Sequence, residues 1–325
     1  LIEEYYHKSN STNINELSFE EYSNIFIEKY CIPNVSKVTL KGYKNYIRGI
    51  MPYIGKYKLN KITPYMLDNM YQKIKSGRKN KELSPKTMLH YYNMVNLMFK
   101  QAKKWKLIDV NPNEDATCPK VQRKKRNFYD IEQVQKLFKC LENENIKYRT
   151  IITLTLVSGV RRGELCALLW SDVDFDNQTI CIDNSLKVIS GVVDEEKAKT
   201  EFSIRTIYLD NNTMELLEQY KSWQEGYKLF VGSKWQEENR VFTDIHGKHI
   251  HPSTCNKILQ KVVSKYNLPN ITFHELRHTC ATILNSQGVD PKTISEILGH
   301  ANPIISMNLY THSLEQCKKN SANIF

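Results

Sequence analysis

Helix-start signals recur through the first third of the chain and constrain its fold more than any other feature. Ser18 is followed three residues later by Glu21, the pattern of a reciprocal N-terminal cap. Thr63-Pro64 and Ser84-Pro85 place a proline in the first turn of a helix, where its missing N–H is not needed. Apolar residues recur at three- and four-residue spacing after each signal. We therefore predict a helical domain over residues 17–117, with helices over 38–54, 64–74 and 85–106.

The rest of the chain mixes helical and strand-like patterns. A linker over 118–127 leads into a domain that we expect over 128–325, with a C-terminal tail at 311–325. Helices are predicted over 130–142, 148–157, 161–170, 212–227, 253–266, 273–287, 291–298 and 303–310. Strands are predicted within 173–183, 186–193, 205–209 and 241–243. The predicted fold class is mainly α with a small antiparallel β-sheet, in which a helical domain precedes an α+β domain.

Basic residues are concentrated in the first part of the chain. Of 325 residues, 46 are Lys or Arg and 35 are Asp or Glu, a net charge of +11. Residues 1–127 carry 24 basic and 11 acidic residues, whereas the remainder carries 22 and 24. Apolar stretches are too short for a bilayer, which needs about 20 residues, so a nucleic acid is the expected partner. The predicted DNA-binding residues are Arg78, Lys79 and Lys81 in one loop and Arg123, Lys124, Lys125 and Arg126 in the linker.

His274-Glu275-Leu276-Arg277-His278 matches the HExxH pattern of zinc proteases, with Glu296 available as a third ligand. A zinc metalloprotease is therefore one hypothesis. A second histidine group, His246, His249 and His251, is expected to be a solvated turn before a helix capped by Ser253. The eight cysteines contain no CxxC pair and favour free thiols over a zinc ribbon or a disulfide framework. We expect no metal and no cofactor, because Arg277 would repel a cation bound on the same helix face.

An anionic phosphodiester suits the same residues better. His274 and Arg277 are three residues apart and share one helix face. Gly159-Val160-Arg161 places an arginine at a helix start, where backbone N–H groups favour phosphate. Leu298-Gly299-His300 and Tyr310 follow later in the chain. In order and spacing, these segments, together with Arg162-Gly163-Glu164 and Ala198-Lys199-Thr200, resemble the boxes of the tyrosine recombinase (phage integrase) family. Within this family, the sequence most resembles the integrases of conjugative transposons and phages of low-GC Gram-positive bacteria.

The resemblance implies a role for each matching position. Tyr310 would be the nucleophile, Arg161 and Arg277 would clamp the scissile phosphate, and Lys199 would be the general acid, with Lys197 as the nearby alternative. His274 would serve as base, His300 as a donor to the phosphate, and Glu164 would orient other side chains. We expect structural or backbone-contacting roles for Arg205 and packing or capping roles for His278 and His312.

The family also implies partners and a cellular setting. These are double-stranded DNA recombination sites, a homo-oligomer from dimer to tetramer joined through the C-terminal tail, and accessory DNA-bending or directionality proteins. The protein would act in the bacterial cytoplasm on nucleoid DNA, with no membrane. Residues 1–16 would be the remnant of an upstream segment or a linker. An inactive DNA-binding regulator, which keeps the fold without strand exchange, is the other alternative.

Overall fold

The computed structural model describes residues 17–77, 82–122, 127–189, 192–197 and 204–299. The chain divides into two compact units between residues 124 and 125. Each unit has its own hydrophobic core. Within the described residues, no helix is both long enough and apolar enough to cross a membrane.

The first unit is helical over the residues that the structure describes. Helix α1 spans Phe19–Ile25 and continues through a π-helical segment, Phe26–Cys31, and a short turn, Ile32–Asn34. It is followed by α2 (Lys37–Ile54), α3 (Pro64–Lys75) and α4 (Pro85–Lys104).

The expected caps start these helices. The Ser18 hydroxyl accepts the N–H of Glu21, and the Glu21 carboxylate accepts the N–H of Ser18, which is the reciprocal cap predicted from the sequence. Thr63 and Ser84 cap α3 and α4, each with proline in the first turn. The three predicted helices over 38–54, 64–74 and 85–106 are therefore confirmed, with ends that differ by at most two residues.

Aromatic side chains fill the centre of the first unit. Phe19, Tyr22, Phe26 and Phe99 are fully buried, and their rings lie 5.9–6.4 Å apart in three pairs. The Tyr22 hydroxyl donates to the carbonyl of Met98, so this buried polar atom is satisfied. Burial raises the pKa of Tyr22 far above its usual value.

The second unit combines helices with two small antiparallel sheets. Its helices are α5 (Ile131–Leu141), α6 (Ile146–Ser158), α7 (Arg162–Ala167), α8 (Asn211–Val231), α9 (Pro252–Lys265), α10 (Phe273–Ser286) and α11 (Pro291–Leu298). Its strands are β1 (Val173–Asp174), β2 (Thr179–Ile182), β3 (Asn184–Ile189), β4 (Val192–Lys197) and β5 (Arg205–Tyr208). Strands β1, β2 and β5 form one sheet in that order, and β3 pairs with β4 in the other. The predicted fold class, mainly α with a small antiparallel sheet, is confirmed.

Helix α6 is the centre of the second unit. Residues 151–156 are buried all round the helix, as expected for a helix that is apolar on every face. Helices α5, α7, α8, α9 and α10 all contact it. The end of α6 is therefore surrounded by other elements, and the candidate site lies at that end.

Four local predictions were wrong. The segment 241–243 forms no strand: one isolated bridge, Thr243 with His249, lies within it, and another, Leu169 with Arg240, lies just before it. The run 186–193 contains parts of two antiparallel strands, β3 and β4. Helix α7 ends at Ala167 because Leu168 leaves the helical region, and a 3₁₀ turn follows at 170–172. Helix α9 is capped by the side chain of His251, whose ring accepts the N–H of Ser253, and not by Ser253 itself.

Candidate active site

A left-handed turn after α6 sets the start of the site. Gly159 has a φ of +63°, a conformation that costs glycine little. A β-carbon at this position would lie 2.5 Å from the Leu298 side chain, so the turn also needs glycine for space. The turn leads through Val160 to Arg161, which is the N-cap residue of α7.

The carboxylate of Glu164 on α7 is held by two arginines. It accepts the backbone N–H of Arg161 at 2.8 Å and the Arg161 guanidinium at 2.7 Å. Arg205 on β5 donates to the same carboxylate at 2.7 Å. Burial alone raises the pKa of Glu164, but Arg205 and then Arg161 outweigh it and lower the pKa to about 2. Glu164 is therefore ionised at neutral pH, and it fixes the direction of both side chains.

Arg277 on α10 is 2% exposed and spans two backbone segments. Its guanidinium donates to the carbonyl of Gly159 at 2.7 Å and to that of Leu298 at 2.5 Å. Burial, together with the charges of Arg161 and Arg205, lowers the pKa of Arg277 to about 9, while Glu164 opposes the shift. The side chain thus keeps its charge at neutral pH in a place where a cation without an anion is costly.

The end of α11 completes the group. Gly299 follows the helix with a φ of +63°, and its carbonyl accepts the guanidinium of Arg161 at 2.6 Å. Arg161 and Arg277 are therefore held on adjacent carbonyls, those of Gly299 and Leu298. The side chain of Arg161 remains 40% exposed, so part of this cationic surface is open to a ligand.

His274 lies on the exposed side of α10, one turn before His278. The two rings meet edge to face with their centroids 4.6 Å apart, and His278 is buried. The carboxylate of Glu275 accepts the N–H of Thr272, so it caps the helix. Among the described residues, no group of three or more His, Cys, Asp or Glu side chains could hold a metal ion. The geometry of α10 therefore gives the metalloprotease hypothesis no support.

The second histidine group has structural partners. His249 Nδ1 lies 2.9 Å from the Glu238 carboxylate, and His251 caps α9. His246 is exposed in the preceding turn. These contacts agree with the expected turn before a helix, apart from the identity of the cap.

Several predicted site residues lie outside the described residues. Among the predicted catalytic residues these are Lys199, His300 and Tyr310, and among the predicted DNA-binding residues they are Arg78, Lys79, Lys81, Arg123, Lys124, Lys125 and Arg126. His312 lies outside them as well. The structure brings together Arg161, Glu164 and Arg277, and it places His274 on the same helix as Arg277.

Sequence reasoning missed two features. One is the engagement of Arg205 with Glu164, which has no local signal because 41 residues separate them. The other is a cationic face on α2, formed by the exposed residues Lys37, Lys41, Lys44 and Arg48. Their spacing of four, three and four residues places them on one side of the helix, and α2 contains no Asp or Glu. That spacing was readable from the sequence.

The arrangement favours an anion. Three guanidinium groups lie near one carboxylate, Glu164, which bonds Arg161 and Arg205 directly and acts on Arg277 only through its charge. An anionic group bound through its oxygens beside Arg161 and Arg277 would balance the remaining positive charge. Two guanidinium groups, each able to donate two parallel hydrogen bonds, suit the non-bridging oxygens of a phosphate.

Two family models match the chain. The model described as "Phage integrase family" matches residues 127–316, more than half of the chain. The model described as "Phage integrase, N-terminal SAM-like domain" matches residues 18–75. The first match spans the second unit and the second lies within the first unit.

Curated relatives agree with these matches. The chain is 30% identical over 299 residues to a XerC-like tyrosine recombinase of Caldanaerobacter subterraneus, an alignment that covers 86% of this chain and 74% of the relative. It is 25% identical over 277 residues to the ICEBs1 integrase of Bacillus subtilis, covering 82% and 75%.

Solved structures share the fold. The Tn1549 transposon integrase, solved in complex with transposon right end DNA, has a TM-score of 0.76 at 20% identity, covering 93% of this chain and 97% of that chain. A lambda integrase dimer bound to a core site has a TM-score of 0.65 at 17% identity, covering 90% and 95%. Together with the family models and the relatives, this fold shows that the chain belongs to the phage integrase family of tyrosine recombinases.

Proposed function

We propose that this chain is a site-specific recombinase that cuts and rejoins the DNA of a mobile element through a covalent 3′-phosphotyrosine intermediate. The observation that supports it most is the pair Arg161 and Arg277, held on adjacent carbonyls at the end of α11 with Glu164 beside them. Two fixed guanidinium groups form a clamp for one phosphate. His274 on the same helix as Arg277 adds a group able to take or give a proton.

In the proposed reaction, the Tyr310 hydroxyl attacks the scissile phosphate. A bond forms between the tyrosine oxygen and phosphorus, and the bond from phosphorus to the 5′-oxygen breaks. His274 takes the tyrosine proton, Lys199 protonates the leaving 5′-oxygen, and His300 donates to a phosphate oxygen. The phosphotyrosine retains the energy of the broken bond, so a 5′-hydroxyl can reverse the step on another strand without ATP.

The arginines would act on the transition state. Negative charge grows on the non-bridging oxygens as tyrosine attacks, and donors fixed in advance stabilise that charge without reorganising. Glu164 is needed because it holds Arg161 in place and compensates part of the positive charge. These roles require no metal, since cationic side chains occupy the places where a metal would neutralise charge.

The proposed partner is double-stranded DNA at the recombination sites. Its backbone would lie against the first unit, where α2 presents a cationic face and where the net charge is concentrated. Related integrases were solved on DNA, and lambda integrase was solved as a tetramer bound to a Holliday junction. We infer a similar homo-oligomer, from dimer to tetramer on DNA and joined through the C-terminal tail, with accessory bending or directionality proteins. It would act on nucleoid DNA in the bacterial cytoplasm.

A nicked suicide substrate carrying the recombination site tests this proposal. The wild-type chain should form a covalent protein–DNA adduct that resists EDTA, and Tyr310→Phe should form none. Tyr208→Phe is the matched control, because Tyr208 is 79% exposed on β5 and takes no part in the proposed chemistry. Salt-sensitive binding with no wild-type adduct on this substrate would instead favour an inactive regulator. Peptide cleavage that is lost in EDTA would favour a metalloprotease.

A further inference from the structure

Three consecutive carbonyls at the end of α11 each accept a different arginine. The carbonyl of Ile297 accepts Arg205 Nε at 2.7 Å, that of Leu298 accepts Arg277 at 2.5 Å, and that of Gly299 accepts Arg161 at 2.6 Å. We call these three oxygens the α11 carbonyl row. The negative end of a helix dipole favours cations here. The row therefore sets the positions of three guanidinium groups relative to one another.

Arg205, like Arg277, is a buried member of this group. Its side chain is only 7% exposed, against 40% for that of Arg161. Its Nη2 donates to the Glu164 carboxylate, while Nε donates to the carbonyl of Ile297. The third nitrogen, Nη1, is buried without a hydrogen-bond partner among the described residues, and a β-carbon on Gly299 would lie 2.8 Å from it. Arg205 therefore packs directly against the backbone of Gly299.

We infer that Arg205 is a positioning residue: it joins Glu164 on α7 to the α11 carbonyl row, and through these two partners it sets the places of Arg161 and Arg277. This inference rests on the proposed function, since the reaction it serves is phosphotyrosine formation. Its Nη2 and Nε are bonded to Glu164 and Ile297, and Nη1 is buried beside Gly299, so Arg205 acts through its neighbours. The contacts form one closed chain, from Arg205 to Glu164, from Glu164 to Arg161, and from Arg161 back to the row.

Arg205 also supplies charge. Glu164 lies in a buried place, and with Arg205 removed only Arg161 would remain in direct contact with its carboxylate. The group would then be easier to protonate, and a neutral Glu164 holds Arg161 less firmly because a charge-assisted bond is lost. An arginine that served packing alone would have no such effect. This difference separates a positioning role from a structural one.

The test compares adduct formation on the nicked substrate for Arg205→Met, Arg205→Lys and wild type from about pH 6 to about pH 9. Arg205→Met should be roughly a hundredfold slower at neutral pH, the effect of misplaced catalytic groups. Its rate relative to wild type should rise with pH as Glu164 loses its proton, because without Arg205 the burial of that carboxyl raises its pKa. The other titratable groups around Glu164 are unchanged by the substitution: Arg161, Arg277, and Asp172, Cys181 and Asp183 in the cleft beside it.

Arg205→Lys keeps the charge but cannot reach Glu164 and Ile297 together. We expect its rate to be about tenfold below wild type, with a ratio to wild type that does not change with pH. The double variant Arg205→Met with Glu164→Gln has no carboxylate to titrate, and its ratio should also be independent of pH. If Arg205→Met does not fold, the rate of Arg205→Lys still decides, because a wild-type rate for that variant would overturn the inference.

Arg240→Met is the matched control. Arg240 is similarly buried, with a side chain 10% exposed, and it bonds a carboxylate, Glu195, and a carbonyl, that of Ala167. It should lower the melting temperature without making the relative rate depend on pH. A pH-independent ratio for Arg205→Met, or a wild-type rate for Arg205→Lys, overturns the inference. Absence of a wild-type adduct would count against the proposed function itself, so the two failures are distinguishable.

Discussion

At the scale of single residues, Glu164 links protonation to folding. Its pKa is lowered to about 2 in the folded chain, against about 4.3 for an unperturbed glutamate. A group whose folded pKa is depressed stabilises the fold above its unfolded pKa, and this contribution is lost as pH falls towards the folded pKa. The window is therefore from about pH 4.3 down to about pH 2, and the contribution is roughly 3 kcal/mol.

Glu164→Gln should remove this part of the pH dependence. We expect a lower free energy of unfolding at neutral pH, because Arg161 and Arg205 lose their anion, and a flatter acid profile. Chemical denaturation at several pH values measures both effects. Glu218→Gln, on the exposed side of α8, is the control and should leave the acid profile as in wild type. An acid profile of Glu164→Gln equal to that of wild type would show that the ion pairs carry no net stability.

The sequence predicted the described site positions better than it predicted their contacts. Local patterns point to Arg161 and Arg277, the family resemblance adds Glu164, and the structure places the three together. Arg205 is expected to have a structural or backbone-contacting role, and in the structure it bonds the carbonyl of Ile297 and the carboxylate of Glu164. Its bond to Glu164 depends on tertiary packing, because β5 and α7 meet only after the chain between them has folded.

At the scale of elements, the turn that ends α6 should tolerate no side chain. Gly159→Ala would strain a φ of +63° and press a methyl group against Leu298, which is fully buried. We expect a loss of about 2–4 kcal/mol in the free energy of unfolding, the sum of backbone and packing costs. Adduct formation should fall too, because the Gly159 carbonyl bonds Arg277. Urea denaturation and the suicide-substrate assay measure the two effects.

Gly226→Ala is the opposite case and serves as control. Gly226 lies inside α8, and a β-carbon there would meet nothing within 4 Å. Alanine should therefore stabilise the helix by about 0.5–1 kcal/mol. Equal destabilisation by both substitutions would mean that the turn at Gly159 has no special requirement.

Elements with strong end signals were predictable, and those made by tertiary contacts were not. The caps at Ser18, Thr63 and Ser84 act through neighbouring atoms, so the sequence contains them in full. The segment 241–243 is fully or nearly fully buried and reads as a strand. Only isolated bridges form here, because strand pairing depends on which segments lie beside this one in the folded chain.

At the scale of the whole molecule, the net positive charge is concentrated in the first unit. If the first unit grips the DNA backbone, removing cations from α2 should weaken binding at every sequence. Lys41→Ala with Lys44→Ala should reduce the slope of log affinity against log salt by about 0.9 for each phosphate that the protein no longer neutralises. Fluorescence anisotropy at several salt concentrations measures that slope. Lys136→Ala with Lys139→Ala on α5 removes the same charge from exposed positions of the second unit and should change the slope less.

The order of a helical domain and an α+β domain was predictable because each has its own periodicity and its own core. The cationic face of α2 was also present in the sequence, but it is less visible there than a run of adjacent lysines and arginines. A helix presents every third or fourth residue to one side, so a charged face is spread along the sequence.

The α11 carbonyl row has a consequence for how such a chain can evolve. The segment that carries His300 and Tyr310 is joined covalently to the atoms that hold Arg161, Arg205 and Arg277. A force on that segment, from DNA or from a neighbouring molecule, acts first at Gly299, whose carbonyl accepts Arg161 and where a β-carbon would lie 2.8 Å from Arg205. Changes in the length or stiffness of the C-terminal chain therefore act on the geometry of the clamp. If the C-terminal tail joins protomers as proposed, selection on assembly and selection on chemistry act on the same piece of backbone.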